Sequence, residues 1–324
     1  TLVLATALFF IGHFIVGRSQ FLQRYSIPVP VVGGVLFAVV TAVVGLVAHV
    51  QFGIESSPKD PLLLAFFATL GLGADVRSLL KGGRKLVILL FIFVAVMVMQ
   101  NAIGIGMARL LDLHPLVGLL GGSISLIGGH GTAAAYAASF SEVRNLQGAL
   151  ELGMAAATAG LVLGSLLAGP VAERVMRRSG RAATNGSPAP AAPEARSRSE
   201  SAVFAPITAE QLLFVLMVCL VCIGAAHVVH DWMKGTGILL PDFLWALLIG
   251  MAVRNGATLA RIDGINDLAV QAVGTVSLSL FLIIALMGLR ILDLATLAGP
   301  LMVIIIVNAL ATAAFAYLVT SRLM

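Results

Sequence analysis

The chain has 324 residues, of which 59% are hydrophobic and only 11% are Asp, Glu, Lys or Arg. Soluble domains carry roughly a quarter charged residues, so this composition excludes a soluble protein and indicates an integral membrane protein. The net charge of +5 is attributed to basic loops at one membrane face and not to a surface for nucleic acid, so no nucleic-acid partner is expected.

Apolar runs long enough for helices that cross a bilayer recur along the chain, and they predict an all-α fold, because a membrane β-barrel would show short alternating strands instead. In the first half, the predicted spans are 1–16, 27–49, 61–79, 86–108 and 148–172. In the second half, they are 209–230, 240–256, 269–289 and 300–320. Between the halves, residues 176–207 are rich in Pro, Ala, Ser and Arg, which predicts a disordered linker.

The basic residues predict the orientation in the membrane. Of the 20 Lys and Arg residues, all but five fall on the face that holds the linker; the five are Lys59, Arg109, Arg144, Lys234 and Arg290. The positive-inside rule then predicts that the linker is cytoplasmic. Because span 148–172 alone must return the chain to the linker face, residues 115–147 are predicted to enter and leave the membrane at the other face, as a re-entrant hairpin.

The two halves of the chain resemble each other. FFATLGL at 66–72 matches IIALMGL at 283–289. We therefore predict a first repeat over 1–175, with five transmembrane helices and the hairpin, and a second over 208–324, with four helices. An odd number of spans before the linker inverts the second repeat, which is typical of secondary transporters that work by alternating access.

The second repeat is predicted to be incomplete. By analogy with 115–178, roughly 65 residues holding a second hairpin and a last helix are expected beyond Met324. Residues 1–16 are likewise expected to be the remainder of a longer first helix and not a signal peptide.

A polar, glycine-rich stretch, GGSISLIGGHGTAAA at 121–135, interrupts the apolar sequence. Non-helical backbone survives at membrane depth only where protein or a cavity satisfies it, so the stretch predicts a binding site. A half-helix opening near Thr132 would attract anions, and carbonyl groups before it would coordinate sodium. A tight glycine-mediated helix crossing is the alternative. His130 is interpreted as a proton carrier, a donor to a carboxylate, or a structural buried histidine.

Two adjacent amides, Gln100 and Asn101, interrupt the apolar run VAVMVMQNAIGIGMA. They need a partner in the membrane, which is either a ligand or another helix. Gly104 and Gly106 after them predict close approach of a second backbone. Asn308, alone in LMVIIIVNALA, raises the same question in the second repeat.

Span 148–172 carries a stripe of small residues that predicts close packing against the hairpin; the stripe is Gly153, Ala157, Gly160, Gly164 and Ser165. Thr158 on the same span is a candidate hydroxyl ligand. The acidic residues of the spans lie near helix ends, and a proton relay would need one at mid-membrane, so the pattern favours sodium coupling.

These motifs resemble the bacterial sodium/glutamate symporter family. The matching segments are DPLLLAFFATLGL (60–72), MQNAIGIGMA (99–108), GSISLIGGHGTAAA (122–135), GLVLGSLLAGPVAER (160–174) and VSLSLFLIIALMGL (276–289). The resemblance implies a carrier that moves L-glutamate into the cell with Na⁺ as coupling ion and no cofactor. It also implies inverted five-helix repeats, each with a hairpin, an elevator-type motion and a homodimer in the lipid bilayer.

The resemblance also implies ligand-facing roles in the hairpin, for Ser123, Ser125, Gly128, Gly129, His130, Gly131 and Thr132. Ala133 stands where this family is expected to carry glycine. With Gln100, Asn101 and Thr158, these residues form the predicted site for substrate and sodium. A symporter of another organic anion, such as citrate or malate, is the alternative within transport.

Two other classes are less well supported. A membrane enzyme would pair His130 with Ser123 or Ser125, but no acidic residue within the membrane is available to orient the histidine. A passive channel would not need inverted repeats around a broken helix. We therefore predict a transporter and not an enzyme.

Overall fold

The computed structural model describes residues 1–24, 27–48, 55, 57–77, 82–144, 146, 148–178, 207–233, 240–260, 264–288 and 291–320. Within these ranges the regular structure is helical and contains no strand, which confirms the predicted all-α fold. In the first half, the helices are α1 (Leu2–Arg18), α2 (Gln20–Arg24), α3 (Val29–Ala48), α4 (Lys59–Leu72), α5 (Gly83–Leu110), α6 (Pro115–Leu119), α7 (Gly129–Arg144) and α8 (Ala149–Arg178). In the second half, they are α9 (Ala209–Met233), α10 (Asp242–Ala260), α11 (Asp267–Met287) and α12 (Ile291–Phe315).

The chain is a multi-pass membrane protein. Six segments in the described residues are long and apolar enough to cross a bilayer: Leu86–Leu110, Ala149–Ala168, Ala209–Met233, Asp242–Ala260, Asp267–Met287 and Ala298–Leu318. The predicted spans 1–16 and 27–49 match α1 and α3, whereas α4 ends at Leu72, before the predicted end of span 61–79. These three helices are not among the six segments, so their crossing of the membrane stays a prediction.

The predicted boundaries of the linker and of the last span can be compared with the helices. The first three residues of the predicted linker, 176–178, belong to α8, because the apolar helix simply continues into its basic end. The last predicted span, 300–320, agrees with the apolar segment Ala298–Leu318, and the helix that carries it, α12, begins earlier, at Ile291, and runs through Pro300. The rest of the linker, 179–206, lies outside the described residues.

The helices form two compact units, and each combines helices from both halves of the sequence. Unit one holds α1, α3, α4, α9, α10 and α11, while unit two holds α2, α5, α6, α7, α8 and α12. The long helices α1, α3, α4 and α5 are therefore matched in order by α9, α10, α11 and α12. The boundary between repeats and their inversion in the membrane stay predictions.

Unit one contains reciprocal helix contacts. Helix α3 meets α11 where Gly34 faces Leu286, and α4 meets α10 where Gly71 faces Gly250. Helix α3 corresponds to α10, and α4 corresponds to α11. The contact of α3 with α11 is therefore the counterpart of the contact of α10 with α4. At both crossings a glycine brings the helices close, as small residues do where lipid offers no hydrophobic drive for helix association.

Unit two packs the predicted hairpin against α8 and α12. Its buried core includes Val117 and Leu120 from the start of the hairpin, Leu152 from α8, and Leu301 and Ile305 from α12. Helix α5 approaches α6 where Gly104 lies against the backbone of Gly118, which confirms the predicted close approach. Gly106 was also expected to serve this contact, but a side chain there would meet open space.

Candidate functional site

The predicted hairpin consists of two short helical arms joined by a turn. The first arm begins with α6, continues as a π-helical turn over Leu120–Ile124 and ends before the turn at 127–128. Within it, Gly122 adopts φ −105° and ψ −139°, which is not helical. The apolar arm is therefore broken in the middle, at a residue that lacks a side chain.

Two asparagines from separate helices bond to the backbone on either side of this break. Asn308 of α12 donates from Nδ2 to the carbonyl oxygen of Gly121 (3.1 Å). Asn101 of α5 accepts at Oδ1 from the backbone N–H of Ser123 (3.3 Å) and from its hydroxyl (2.8 Å). A break in a helix leaves backbone groups without partners, and these amides supply partners next to Gly122.

The second arm, α7, begins at Gly129 and not near Thr132 as expected. Gly129 has φ +73°, a left-handed conformation that glycine adopts without steric cost. Thr132 uses its hydroxyl within the same turn, donating to the Gly128 carbonyl oxygen at 2.7 Å. The tip at Ile127 and Gly128 is exposed, whereas Gly131 behind it is buried.

His130 points from α7 toward α8. Its Nε2 lies 3.0 Å from the hydroxyl oxygen of Thr158, and that hydroxyl donates its one hydrogen to the Met154 carbonyl at 2.9 Å. With its hydrogen directed to Met154, the Thr158 oxygen is available to accept a hydrogen bond from Nε2 of His130. The two predicted site residues are thus in direct contact.

Helix α8 also binds the first arm. The buried hydroxyl of Ser125 donates to the Gly153 carbonyl oxygen at 3.3 Å. A Cβ added at Gly153 would meet Ala133, and one added at Gly160 would meet Leu126, both in the hairpin, as the stripe of small residues predicted. Gly164, by contrast, faces open space.

Gln100 bonds to a helix and not to the hairpin. Its Nε2 donates to the Thr312 hydroxyl oxygen of α12 at 2.8 Å, and that hydroxyl donates to the Asn308 carbonyl oxygen at 2.7 Å. Gln100 and Thr312 line a pocket of about 220 Å³ in unit two, together with Leu126, Gly160, Gly164, Leu167, Ala168, Val171, Ala309, Ala313 and Ala316.

Sequence reasoning missed two residues of this site. Thr312 was not predicted, although it lies one helical turn after Asn308, the lone polar residue of its apolar run. Asn308 itself was noted but not included in the predicted site. The side chains that make these hydrogen bonds in the hairpin, α5, α8 and α12 carry amides, hydroxyls and an imidazole. In the described residues, no group of three or more His, Cys, Asp or Glu could hold a metal ion.

Comparison with known proteins shows the family to which the chain belongs. A family model described as "Sodium/glutamate symporter" matches residues 1–324. The chain belongs to the sodium/glutamate symporter family. This confirms the resemblance predicted from the motifs, and it places the chain among transporters and not among enzymes.

Named relatives of the family match along the whole chain. A protein named sodium/glutamate symporter from Escherichia coli (strain K12) is 42% identical over 325 residues, covering 100% of this chain and 80% of the relative. A protein of the same name from Haemophilus influenzae is 37% identical over 328 residues, with the same coverage of both chains. No solved structure matches this chain significantly.

Proposed function

We propose that this chain is a secondary carrier that moves L-glutamate into the cell together with Na⁺, as the names of its relatives state for those proteins. The observation that carries the proposal is the broken hairpin of unit two. Its break is held by Asn101 and Asn308, and the same unit buries the polar side chains of Gln100, Ser125 and His130.

The start of α7 suits an anionic substrate. The first N–H groups of a helix lack intrahelical acceptors and carry partial positive charge, so they attract carboxylates. His130 lies in this first turn, buried and oriented by Thr158. We propose that the carboxylates of glutamate bind at this end, with Ser123, Ser125, Gly128, Gly129, Gly131 and Thr132 forming the rest of the surface.

The lengths of the two arms support a re-entrant hairpin. At 1.5 Å per residue, Pro115–Ile124 extends about 15 Å and the 16 residues of α7 about 24 Å. The hydrocarbon core of a bilayer is about 30 Å thick. Two arms of this length return the chain to the face from which it entered, which agrees with the charge-based prediction for 115–147.

The proposed mechanism is alternating access of the elevator type. Its support is that every predicted site residue, from Gln100 to Thr158, lies within unit two, so one compact body carries the site. The ordered correspondence of α1, α3, α4 and α5 with α9 to α12 supports two repeats. We also propose a homodimer in the bacterial inner membrane, which the family resemblance supports. The distribution of Lys and Arg supports a cytoplasmic linker.

Uptake into proteoliposomes tests the proposal. The purified chain is reconstituted, and accumulation of labelled L-glutamate is measured under an inward Na⁺ gradient and under an equal K⁺ gradient. We expect saturable accumulation with Na⁺ alone, abolished by His130→Ala. The matched control is Thr41→Val on α3 of unit one, which removes a hydroxyl bonded only within its own helix and should leave uptake unchanged.

Three results would contradict parts of the proposal. Uptake of labelled citrate or malate, with none of glutamate, would replace the substrate. Non-saturating flux that ignores the sodium gradient would indicate a channel. Equal accumulation under Na⁺ and K⁺ would remove sodium as the coupling ion.

A further inference from the structure

Two buried amide oxygens of unit two have no hydrogen-bond partner in the described structure: Oε1 of Gln100 and Oδ1 of Asn308. Gln100 is 2% exposed and Asn308 is fully buried. Each lies well inside a segment that is long and apolar enough to span the membrane. Buried polar groups without partners are costly and rare, so both oxygens point to something that the fold is built to receive.

The hydrogen bonds of the two amide nitrogens show what their oxygens lack. The Asn308 Nδ2 donates to a backbone carbonyl, that of Gly121, so rotating this amide by 180° would set oxygen against oxygen. The Gln100 Nε2 donates to the Thr312 hydroxyl, which itself donates to the Asn308 carbonyl. In this arrangement, the partner missing at both oxygens is a hydrogen-bond donor or a cation.

These groups form one continuous chain of contacts. It runs from the hairpin break at Gly121 through Asn308 and Thr312 to Gln100. The pocket beside Gln100 and Thr312 is otherwise lined by Gly, Ala, Leu and Val, none of which has a side-chain donor. The partner of the Gln100 oxygen must then enter from outside the described side chains.

We infer that Gln100 Oε1, Thr312 Oγ1 and Asn308 Oδ1 supply ligands to a sodium ion next to the hairpin break. The inference rests on the proposed function and assigns its coupling ion to particular atoms. Neutral amide and hydroxyl oxygens suit a monovalent cation, whereas Ca²⁺ and Mg²⁺ sites are built around carboxylates. The Thr312 oxygen keeps one lone pair free after accepting from Gln100. Because Asn308 also bonds to Gly121, an occupied site would stabilise the break.

The test measures sodium binding without glutamate. The purified chain is heated in NaCl or in choline chloride at equal ionic strength, and the melting temperature is followed against Na⁺ concentration. A ligand that binds only the folded state raises this temperature. Gln100→Met and Asn308→Leu remove one oxygen each, and we expect each to raise the Na⁺ concentration for half-maximal stabilisation by about tenfold or more.

Asn255→Leu is the matched control, because Asn255 is a helical amide of unit one whose contacts are all with backbone groups, those of Ala74, Val76 and Met251. It should lower the melting temperature in both salts and preserve the effect of Na⁺. If Gln100→Met and Asn308→Leu respond to Na⁺ like the wild type, these oxygens do not bind the ion and the inference is overturned.

Glutamate uptake by the same preparations separates this inference from the proposed function. Loss of the Na⁺ response in the variants, with no glutamate uptake by the wild type, would support the cation site and contradict the substrate. Sodium-driven glutamate uptake whose Na⁺ dependence is unchanged in Gln100→Met and Asn308→Leu would support symport and overturn the site.

Discussion

Asn101 accepts two hydrogen bonds from a single residue, Ser123: one from its backbone N–H and one from its hydroxyl. Ser123 directly follows Gly122, where the first arm of the hairpin leaves helical geometry. In an unbroken helix this N–H would bond to the carbonyl four residues earlier. The side chain of α5 therefore replaces a bond that the break removes, and the polar residue at mid-span is explained by the backbone that it serves.

Asn101→Leu should destabilise the protein more than Ser123→Ala. The leucine leaves the Ser123 N–H without an acceptor and should cost about 1–3 kcal/mol in the free energy of unfolding, whereas the alanine loses one hydroxyl bond, at about 0.5–1.5 kcal/mol. Chemical unfolding of the purified variants measures both. Equal costs would show that the backbone bond contributes little.

The position of the break could be predicted from the sequence, but most of its hydrogen-bond partners could not. Glycines and hydroxyl groups among apolar residues single out 121–135, because such residues are unusual in a segment that lies within the membrane. The partners of the break are not local: Gly121 meets Asn308, 187 positions away, and Gln100 meets Thr312, 212 positions away. Such pairs depend on how α5 and α12 pack, which no pattern within either helix encodes.

The start of α7 shows a second limit. The sequence predicted a half-helix near Thr132, a residue type that often begins helices. The helix begins at Gly129 instead, since the left-handed glycine reverses the chain and the Thr132 hydroxyl bonds back to Gly128. The stripe of small residues on α8 shows a similar limit. The sequence alone did not distinguish Gly153, which packs against the hairpin, from Gly164, where an added Cβ would meet no atom within 4 Å.

Gly129→Ala should lower the free energy of unfolding by about 1–2 kcal/mol, because a left-handed conformation strains a residue with a Cβ. An added Cβ there meets no atom within 4 Å, so conformation alone sets the cost. Gly129→Asn should cost less, since asparagine tolerates this region better. Gly164→Ala, also in open space but with a helical backbone, is the control and should be neutral or stabilising. A harmful Gly164→Ala would show that the added methyl group itself is the cause.

Thr158→Val should impair uptake without unfolding the protein. The substitution removes the acceptor of the His130 Nε2 proton and frees the ring to rotate, so we expect the KM for glutamate to rise about tenfold. Thr158→Ser keeps the hydroxyl and should restore uptake. Thr258→Val on α10, which loses a hydroxyl bonded to Arg254 of its own helix, controls for the loss of a helical threonine. An unchanged KM in Thr158→Val would argue against a role for His130 orientation.

The crossing of α5 and α6 provides a matched pair of glycines two positions apart. A Cβ at Gly104 would overlap the backbone of Gly118, while one at Gly106 would meet no atom within 4 Å. Gly104→Ala should therefore force the hairpin away from α5 and cost about 1–3 kcal/mol, as overpacking does. Gly106→Ala should gain up to about 1 kcal/mol from helix propensity. Asn101 of α5 accepts hydrogen bonds from Ser123 of the hairpin, and these bonds depend on the distance between α5 and the hairpin. Gly104→Ala should therefore also reduce uptake. Measuring unfolding and uptake for both variants tests the crossing, and equal behaviour of the two would contradict it.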